Sequence, residues 1–423
     1  MSERNAAPFD HRAEWEILLA CGTPGAAETR AAQIEPLVSE DLNWDWLLRA
    51  SLHHGMMPLL YLGLLKADLA SLPDSVWQEL EELYKRNVVR ALWLSGELQE
   101  CLNQLAAYGI AALPYKGPVL AAAAYGDVAS RQYADLDILV RRHEALRARE
   151  LLVSQGYYHE LQLNAAQETA FLAAQSAYAL TRPSGRDVLV ELHWRFFEAY
   201  FSASLISEEL WHRAVPLSLL GQDVLTPAPE DLLLVLCMHG TKHGWQRLGW
   251  VCDVAWLLSV CQELDWPAVQ DRAREVGGLR MLHLGLRLAQ DLFEAPLPRD
   301  VAARTQADVA AGALARQVHN WYLHDVQRQL SQASEAHPAG GAQNWYLQDA
   351  PQQAPWDTGL WRFHLQAKER WADRARYVVR LAFTPTVGDW HALALPSWLF
   401  PLYYLLRPFR LLAEYGFEAL RRA

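Results

Sequence analysis

The sequence predicts an α+β fold, in which a small mixed sheet is flanked by N-terminal and C-terminal helical regions. Two observations lead to this prediction. Short apolar runs of strand length, in which buried and polar side chains alternate, cluster in residues 106–215 of the 423. On both sides of that stretch, leucines and aromatic residues recur with the spacing of a helix.

The predicted divisions of the chain follow these changes in pattern. Residues 1–105 form an N-terminal helical region, 106–215 an α/β core and 216–330 a helical domain. Residues 331–356 are rich in Gly, Pro, Gln and Ala, as in a linker. Residues 357–423 are a C-terminal helical and apolar segment, beginning with a helix from about residue 358 to residue 383.

The N-terminal region ends in a long predicted helix. Ser75 and Gln78 fit a capping box, and the apolar stripe that follows continues to about Ala107. Gly109 then ends the helix. Three shorter apolar helices are predicted before it, at 13–21, 41–54 and 57–67.

The α/β core alternates strands with helices. We expect strands joined by a helix to pair in parallel. The predicted strands are 110–115, 135–140, about 157–163, 178–182 and 187–194, and the predicted helices are 118–125 and 143–155.

The strand at 135–140 carries the most informative residues. Alternation places Asp135 and Asp137 on one face, whereas Leu136, Ile138 and Val140 form an apolar face suited to a core. Two carboxylates on one face repel each other, and a divalent cation relieves that repulsion. Mg²⁺, which takes oxygen ligands, suits such a pair. On this argument alone, removing one carboxylate could even stabilise the fold.

Two further groups belong to the same predicted site. Lys116 and Gly117 lie between a strand and a helix, where a backbone N–H and an ammonium group can hold phosphate oxygens. Only five of the 38 basic residues are lysines, so a lysine at this turn runs against the composition. Glu191 and His193 share one face of the strand at 187–194, and Glu191 is the expected third carboxylate.

These motifs resemble the uncharacterised nucleotidyltransferase family of bacteria, a branch of the DNA polymerase β-like nucleotidyltransferase superfamily. The resemblance rests on Lys116-Gly117, Tyr125-Gly126-Asp127, Arg131, Asp135-x-Asp137 and Glu191-x-His193-Trp194. It extends over roughly residues 80 to 412, including the apolar tail. Lys-Gly replaces the Gly-Ser or Gly-Gly that is usual in the wider superfamily.

The resemblance implies a metal-dependent transfer of a nucleoside monophosphate from an NTP, such as ATP, to a hydroxyl acceptor. Asp135, Asp137 and Glu191 would be the catalytic residues and would hold two Mg²⁺ ions, with Mn²⁺ as an alternative. Lys116, Gly117, Arg131, His193 and Lys242 would contact nucleotide or acceptor. The predicted role of His193 is to orient Glu191 or the acceptor. An internal salt bridge to Asp127 or Asp135 is the structural alternative for Arg131.

The helical domain adds fewer residues to the predicted site. A helix runs from about Glu230 to His243 and places His239 and His243 on one face. Because the glutamate of a zinc-protease motif is missing between them, we expect a packing or phosphate-side role for these histidines rather than metal binding. Asp253, on the next helix, is expected to pair with a nearby His or Arg.

The composition restricts partners and compartment. A net charge of −11 disfavours RNA, because phosphate contacts need a basic surface. Five cysteines without a C-x-x-C pair suit a reducing environment, and the charged N-terminus does not resemble a signal peptide. A cytoplasmic protein is therefore expected, whose acceptor is a small molecule, sugar, peptide or protein.

Two alternatives stay open at this stage. The chain could instead be a non-catalytic nucleotide-binding or scaffold protein that acts with an operon partner in cell-surface or natural-product biosynthesis. In addition, the apolar stretch within 390–412, interrupted by Pro396 and Pro401, is too short and broken to span a bilayer. We expect it to pack on the catalytic domain, with peripheral membrane contact as the alternative.

Overall fold

A computed structural model describes residues 11–39, 41–67, 72–183, 187–201, 205–336, 360–393 and 395–421. Most of the predicted linker lies outside the described residues, and residues 331–336 continue a helix instead.

Helices precede, interrupt and follow the strands. Those before the first strand are α1 Arg12–Gly22, α2 Ala27–Ile34, α3 Trp44–His53, α4 Met57–Leu64 and α5 Asp74–Ala107. Those between strands are α6 Gly117–Leu120, α7 Ala145–Ser154, α8 Ala165–Ala174 and α9 Glu208–His212. Those after the last strand are α10 Pro229–Lys242, α11 Leu248–Val260, α12 Trp266–Glu275, α13 Leu279–Phe293, α14 Arg299–Ala307, α15 Val309–Ala336, α16 Leu360–Ala367, α17 Trp371–Phe383, α18 Val387–Ala392 and α19 Leu402–Arg421.

The strands form two sheets in the described part of the chain. Four of them make a mixed sheet of order β1-β2-β4-β3, and two make a separate hairpin. The strands are β1 Ala112–Pro114, β2 Asp135–Val140, β3 Ala177–Arg182, β4 Val188–His193, β5 Val215–Leu219 and β6 Gln222–Thr226. A small mixed sheet among helices confirms the coarse fold prediction.

The pairing of the first two strands differs from the prediction. We expected strands joined by a helix to be parallel, but β1 and β2 are antiparallel although a helix joins them. β2 and β4, which no helix joins directly, are parallel. Helix α6 has only four residues before it becomes a π-helical turn, Ala121–Tyr125. Residues 115–134, which join the two strands, thus hold only short helical segments and not the longer helix that usually forms a parallel crossover.

Several local predictions were wrong for identifiable reasons. The strand near 157–163 is reduced to one isolated pairing of Tyr158 with Thr181. Helix α8 was missed, although Asn164 and Gln167 form a capping box at its start. Ser75 makes no cap, because α5 already begins at Asp74.

Two more differences lie outside the sheet core. The hairpin β5–β6 was missed because its turn is Leu220-Gly221, both with positive φ, rather than the familiar Asn-Gly. The helix predicted from 358 to 383 is broken into α16 and α17.

Both faces of the mixed sheet are covered. Leu136, Ile138 and Val140 pack with the second half of α5 in one apolar cluster, as their alternation predicted. Leu139, on the opposite face, belongs to a larger cluster formed with helices of the N-terminal and C-terminal regions. The acidic face of β2 is therefore largely covered by protein, and buried polar groups on it, such as Asp137, need partners.

Buried and half-buried histidines lie around this second cluster. His364 contacts the Tyr377 hydroxyl through Nδ1 at 2.9 Å and the Lys242 carbonyl through Nε2 at 2.8 Å. Burial lowers its pKa to about 3 and that of His53 to about 4. Burial also lowers the pKa of His54, His239 and His243 well below the usual value.

These histidines predict acid sensitivity of the fold. A group whose folded-state pKa is depressed binds more protons when unfolded, so the free energy of unfolding falls as the pH drops below about 6.5. Each such histidine contributes about 1.4 kcal/mol per pH unit. Urea unfolding of the wild type should give a lower free energy of unfolding at about pH 5 than at about pH 7. His364→Gln should reduce that difference, and equal pH dependence of the two proteins would contradict this account.

Candidate active site

The candidate site is built where β2 and β4 run side by side. In the parallel register Asp137 lies opposite Glu191, and Leu139 lies opposite His193. Since side chains alternate along each strand, Asp137, Glu191 and His193 all point to the same face. Their ligand atoms lie within 4.8 Å of one another.

Hydrogen bonds connect these three side chains to a lysine. Asp137 Oδ1 accepts from Lys116 Nζ at 3.0 Å and lies 3.2 Å from His193 Nε2. The same His193 Nε2 lies 3.1 Å from Glu191 Oε2. His193 Nδ1 is 3.2 Å from the carbonyl of Arg195. Every nitrogen of the imidazole thus faces an oxygen, the arrangement that a protonated ring satisfies by donating twice.

The charges of the cluster compensate one another. Burial favours neutral groups, but the nearby Lys116 and His193 outweigh it and lower the pKa of Asp137 well below its usual range. Burial likewise opposes ionisation of His193, yet its bonds to Asp137 and Glu191 raise its pKa. The negative charge of Asp137 is therefore compensated by Lys116 and His193 and is not left to repel the other carboxylates. For this residue we therefore expect that loss of the carboxylate destabilises the fold, because Lys116 would be left buried without its partner.

The turn that carries Lys116 depends on the residue after it. Gly117 has φ +54°, and a Cβ there would lie 3.1 Å from the backbone oxygen of Asp135. Glycine therefore allows the end of β1 to approach the start of β2. The buried Tyr115 ring lies 5.3 Å from Lys116 Nζ and meets the His193 ring edge-on at 5.4 Å. Sequence analysis missed Tyr115, whose only signal was its position before Lys116.

Asp135 is the first residue of β2 and lies opposite Leu189. It shares the face of Asp137 and is close enough to help raise the pKa of Lys116. The group that converges within 4.8 Å contains His193, however, and not Asp135. The three predicted carboxylates thus lie on one surface, with the imidazole between two of them.

Arg131 is engaged by a residue of the helical domain. Its Nε and a terminal nitrogen donate to the two oxygens of Asp253 at 2.8 and 2.9 Å. The Tyr125 hydroxyl donates to the same carboxylate at 2.8 Å. The expected pairing of Asp253 with an arginine or histidine is confirmed. This bidentate pair ties the loop before β2 to helix α11.

Lys242 is also paired within the protein. Its Nζ lies 2.8 Å from Glu198 Oε1, and both side chains are largely buried. Glu198 had no local sequence signal, since it lies 44 residues away from Lys242. His239 and His243 contact each other at 4.6 Å and both face Trp250, which agrees with a packing role.

The residues fit a divalent cation. Among the described residues, Asp137, Glu191 and His193 offer two carboxylate oxygens and one ring nitrogen. Carboxylates suit Mg²⁺ and Mn²⁺, whereas an imidazole ligand suits ions such as Zn²⁺ and Fe²⁺. The donor set therefore supports a cation site without fixing the ion.

Comparison with known proteins places this geometry in context. The sequence model of a family described as uncharacterised nucleotidyltransferase matches residues 40–294. The chain belongs to this family. The match covers helices α3–α13 and every described strand, and therefore the whole candidate site. It ends before the apolar tail that the resemblance had included. No curated protein was found to match the chain.

Nucleotidyl transfer is the activity that membership of this nucleotidyltransferase family supports. A buried Asp-Glu-His group that can hold a metal accords with it, since such transferases usually use divalent metals.

The Lys116–Asp137 pair predicts a response to divalent cations. Lys116→Met should lower the free energy of unfolding by about 3 kcal/mol, because breaking a buried pair leaves an uncompensated charge. Mg²⁺ or Mn²⁺ should restore part of this loss by binding the acidic group whose charge Lys116 no longer compensates. Urea unfolding with and without each ion measures both effects.

Lys242→Met is the matched control for this prediction. It removes a second largely buried lysine from an ion pair, with Glu198, that belongs to no metal-binding group among the described residues. It should be destabilised without rescue by divalent ions. Equal rescue of both variants, or of neither, would contradict the assignment of a cation site.

Proposed function

We propose that this protein transfers a nucleoside monophosphate from an NTP to a hydroxyl acceptor with release of pyrophosphate. The observation that carries the proposal is the cross-strand group of Asp137, Glu191 and His193, with Lys116 on its edge. Membership of the nucleotidyltransferase family supports the reaction class. The acceptor class and the choice of NTP belong to the proposal.

Asp137 and Glu191, with Asp135 beside them, would hold divalent cations in the proposed enzyme. A bound divalent cation there would supply charge neutralisation at the phosphates and lower the pKa of an acceptor hydroxyl. The two carboxylates differ in access, since the Glu191 side chain is 26% exposed and that of Asp137 only 1%. We therefore assign Glu191 to the acceptor side of the proposed site, where it would accept the hydroxyl proton.

Lys116 and Gly117 are the proposed triphosphate contacts. The ammonium group of Lys116 lies at the end of β1, and the positive φ of Gly117 brings backbone close to β2 without a side chain in the way. A triphosphate bound at this turn would contact the ammonium group of Lys116 and the backbone of Gly117, which no side chain covers.

His193 is proposed to orient Glu191. Its Nδ1 contact with the Arg195 carbonyl fixes the ring while Nε2 faces both carboxylates. Because their charges are already balanced by Asp253 and Glu198, Arg131 and Lys242 are proposed to position the site rather than to neutralise the triphosphate.

A non-catalytic nucleotide-binding protein is the second candidate function. One observation favours it: Lys116 and His193 already compensate the charge of Asp137. In this alternative the same surface would bind a nucleotide without turnover and serve an operon partner.

The proposed function predicts which substitution removes nucleotide binding. Asp137→Asn keeps the size of the side chain but removes the charge. Wild-type protein should show a thermal midpoint raised by at least one NTP in the presence of Mg²⁺ or Mn²⁺, since a ligand at 100 times its Kd stabilises by about 2.7 kcal/mol. The variant should lose that shift, together with pyrophosphate release measured with a small-molecule extract as acceptor source.

Asp231→Asn is the control. Asp231 is another buried aspartate held by two cations, Arg213 and Arg272, on a helix outside the cluster. It should lose stability but keep the nucleotide-dependent shift. Absence of a shift with all four NTPs in the wild type, or an unchanged shift in Asp137→Asn, would contradict the proposal. A shift without pyrophosphate release would favour the second candidate.

A further inference from the structure

Helix α19 exposes apolar side chains and buries a charged one, which is the reverse of a helix on the surface of a water-soluble domain. Such a helix buries its apolar stripe and exposes its charges. In α19, Tyr403 and Arg407 are buried, whereas Leu405 is 61% and Phe409 70% exposed. Leu402, Leu406 and Leu412 are exposed on the same helix. Among the described side chains of α19, those that face outward include Leu402, Leu405, Leu406 and Phe409, which have i, i+3, i+4, i+7 spacing and are apolar.

Buried ion pairs fix this orientation. Arg407 donates to Asp389 Oδ2 at 2.5 Å and to Thr386 Oγ1 at 2.9 Å. Arg410 donates to Asp389 Oδ1 at 2.6 Å. Both oxygens of one buried carboxylate are thus held by arginines of α19. The helix cannot roll its leucines inward without separating these charges in a buried site, which is costly.

Neighbouring elements expose further apolar side chains. Helix α17 packs against α19 and exposes Trp371, Val378, Val379 and Phe383. Trp371 is 81% exposed, and Trp398, in the turn before α19, is 77% exposed. A groove of about 550 Å³ lies next to the exposed side chains of Val378 and Val379 on α17. It is lined by Leu365, Gln366, Arg374, Ala375, Val378 and Val379. We call these exposed side chains of α17, α19 and Trp398 the C-terminal apolar surface.

The charge of this region is opposite to that of the rest of the chain. Residues 360–412 contain eight basic and three acidic residues, a net charge of +5. With −11 for the whole protein, the remaining residues carry −16. Arg370, Arg374, Arg376 and Arg380 are exposed around the apolar stripe of α17. Apolar and aromatic side chains bordered by arginines are typical of segments that lie in the interface of an anionic bilayer.

We propose that the C-terminal apolar surface binds the surface of a membrane rich in anionic lipids. The indole rings and leucines enter the headgroup boundary while the arginines meet lipid phosphates. The protein lies on the bilayer, as none of the helices in the described ranges is long and apolar enough to cross one. A second copy fits less well, because a symmetric dimer would place two surfaces of +5 against each other.

Vesicle flotation with the full-length protein tests the proposal. Wild type should float with vesicles of phosphatidylcholine and phosphatidylglycerol, less with phosphatidylcholine alone, and less again at high salt. Leu405→Ser/Phe409→Ser should reduce binding to the mixed vesicles by about tenfold or more, because two apolar side chains no longer enter the bilayer. Its thermal midpoint should be unchanged, since both side chains are exposed.

Val89→Ser/Leu92→Ser is the matched control, because it replaces two apolar residues of α5 that are 49% and 48% exposed. It should float like the wild type. Failure of the wild type to float with either vesicle, or equal flotation of the Leu405/Phe409 variant, would overturn the proposal. Light scattering on both proteins completes the test: a wild-type dimer that does not float and becomes monomeric in the variant would assign the surface to a second copy instead.

Discussion

The core depends on one pairing: two carboxylates brought opposite each other on parallel strands and held by a shared imidazole and a lysine. The register of β2 and β4 places Asp137 beside Glu191. Burial makes that arrangement costly unless cations accompany it. Lys116, from the neighbouring strand end, and His193, two residues beyond Glu191, supply them. The sheet order β1-β2-β4 is what brings all four groups together.

The same principle extends outward from the sheet. Each predicted nucleotide-site cation that lies away from the triad, Arg131 and Lys242, is matched by a buried acid on another segment. The helical domain therefore contributes charges to the α/β core as well as apolar surface. The neutral histidines around it complete an interior in which polar groups are either paired or uncharged.

Sequence alternation predicted the acidic strand, its apolar face and the position of Glu191, because a period of two is strong wherever one face is buried. It also predicted α5. It predicted neither the antiparallel pairing of β1 with β2 nor the hairpin, whose Leu-Gly turn resembles no common turn sequence. No local pattern shows that β4 lies beside β2, so this adjacency was an assumption behind the role of Glu191.

Contacts between residues far apart in the sequence were the hardest features to predict from the sequence. The partners of Lys116 and Lys242 lie 21 and 44 residues away, and that of Arg131 lies 122 residues away. No local sequence pattern distinguishes a lysine that binds a phosphate from a lysine that is paired with a carboxylate of the protein. The exposed face of α19 was hidden for a similar reason, since only the fold shows that its arginines turn inward to Asp389.

The bidentate bond between Arg131 and Asp253 has a consequence for how this protein can vary. It connects the loop that leads into Asp135 with a helix that follows the sheet by more than fifty residues. The sheet segment therefore depends on α11. If it were transferred to another protein without that helix, it would carry an unpaired arginine side chain next to the start of its acidic strand. A chimera that replaces one of these two segments with a segment lacking its half of the pair would leave a buried charge unmatched, whereas replacement of the region after residue 360 changes neither Arg131 nor Asp253.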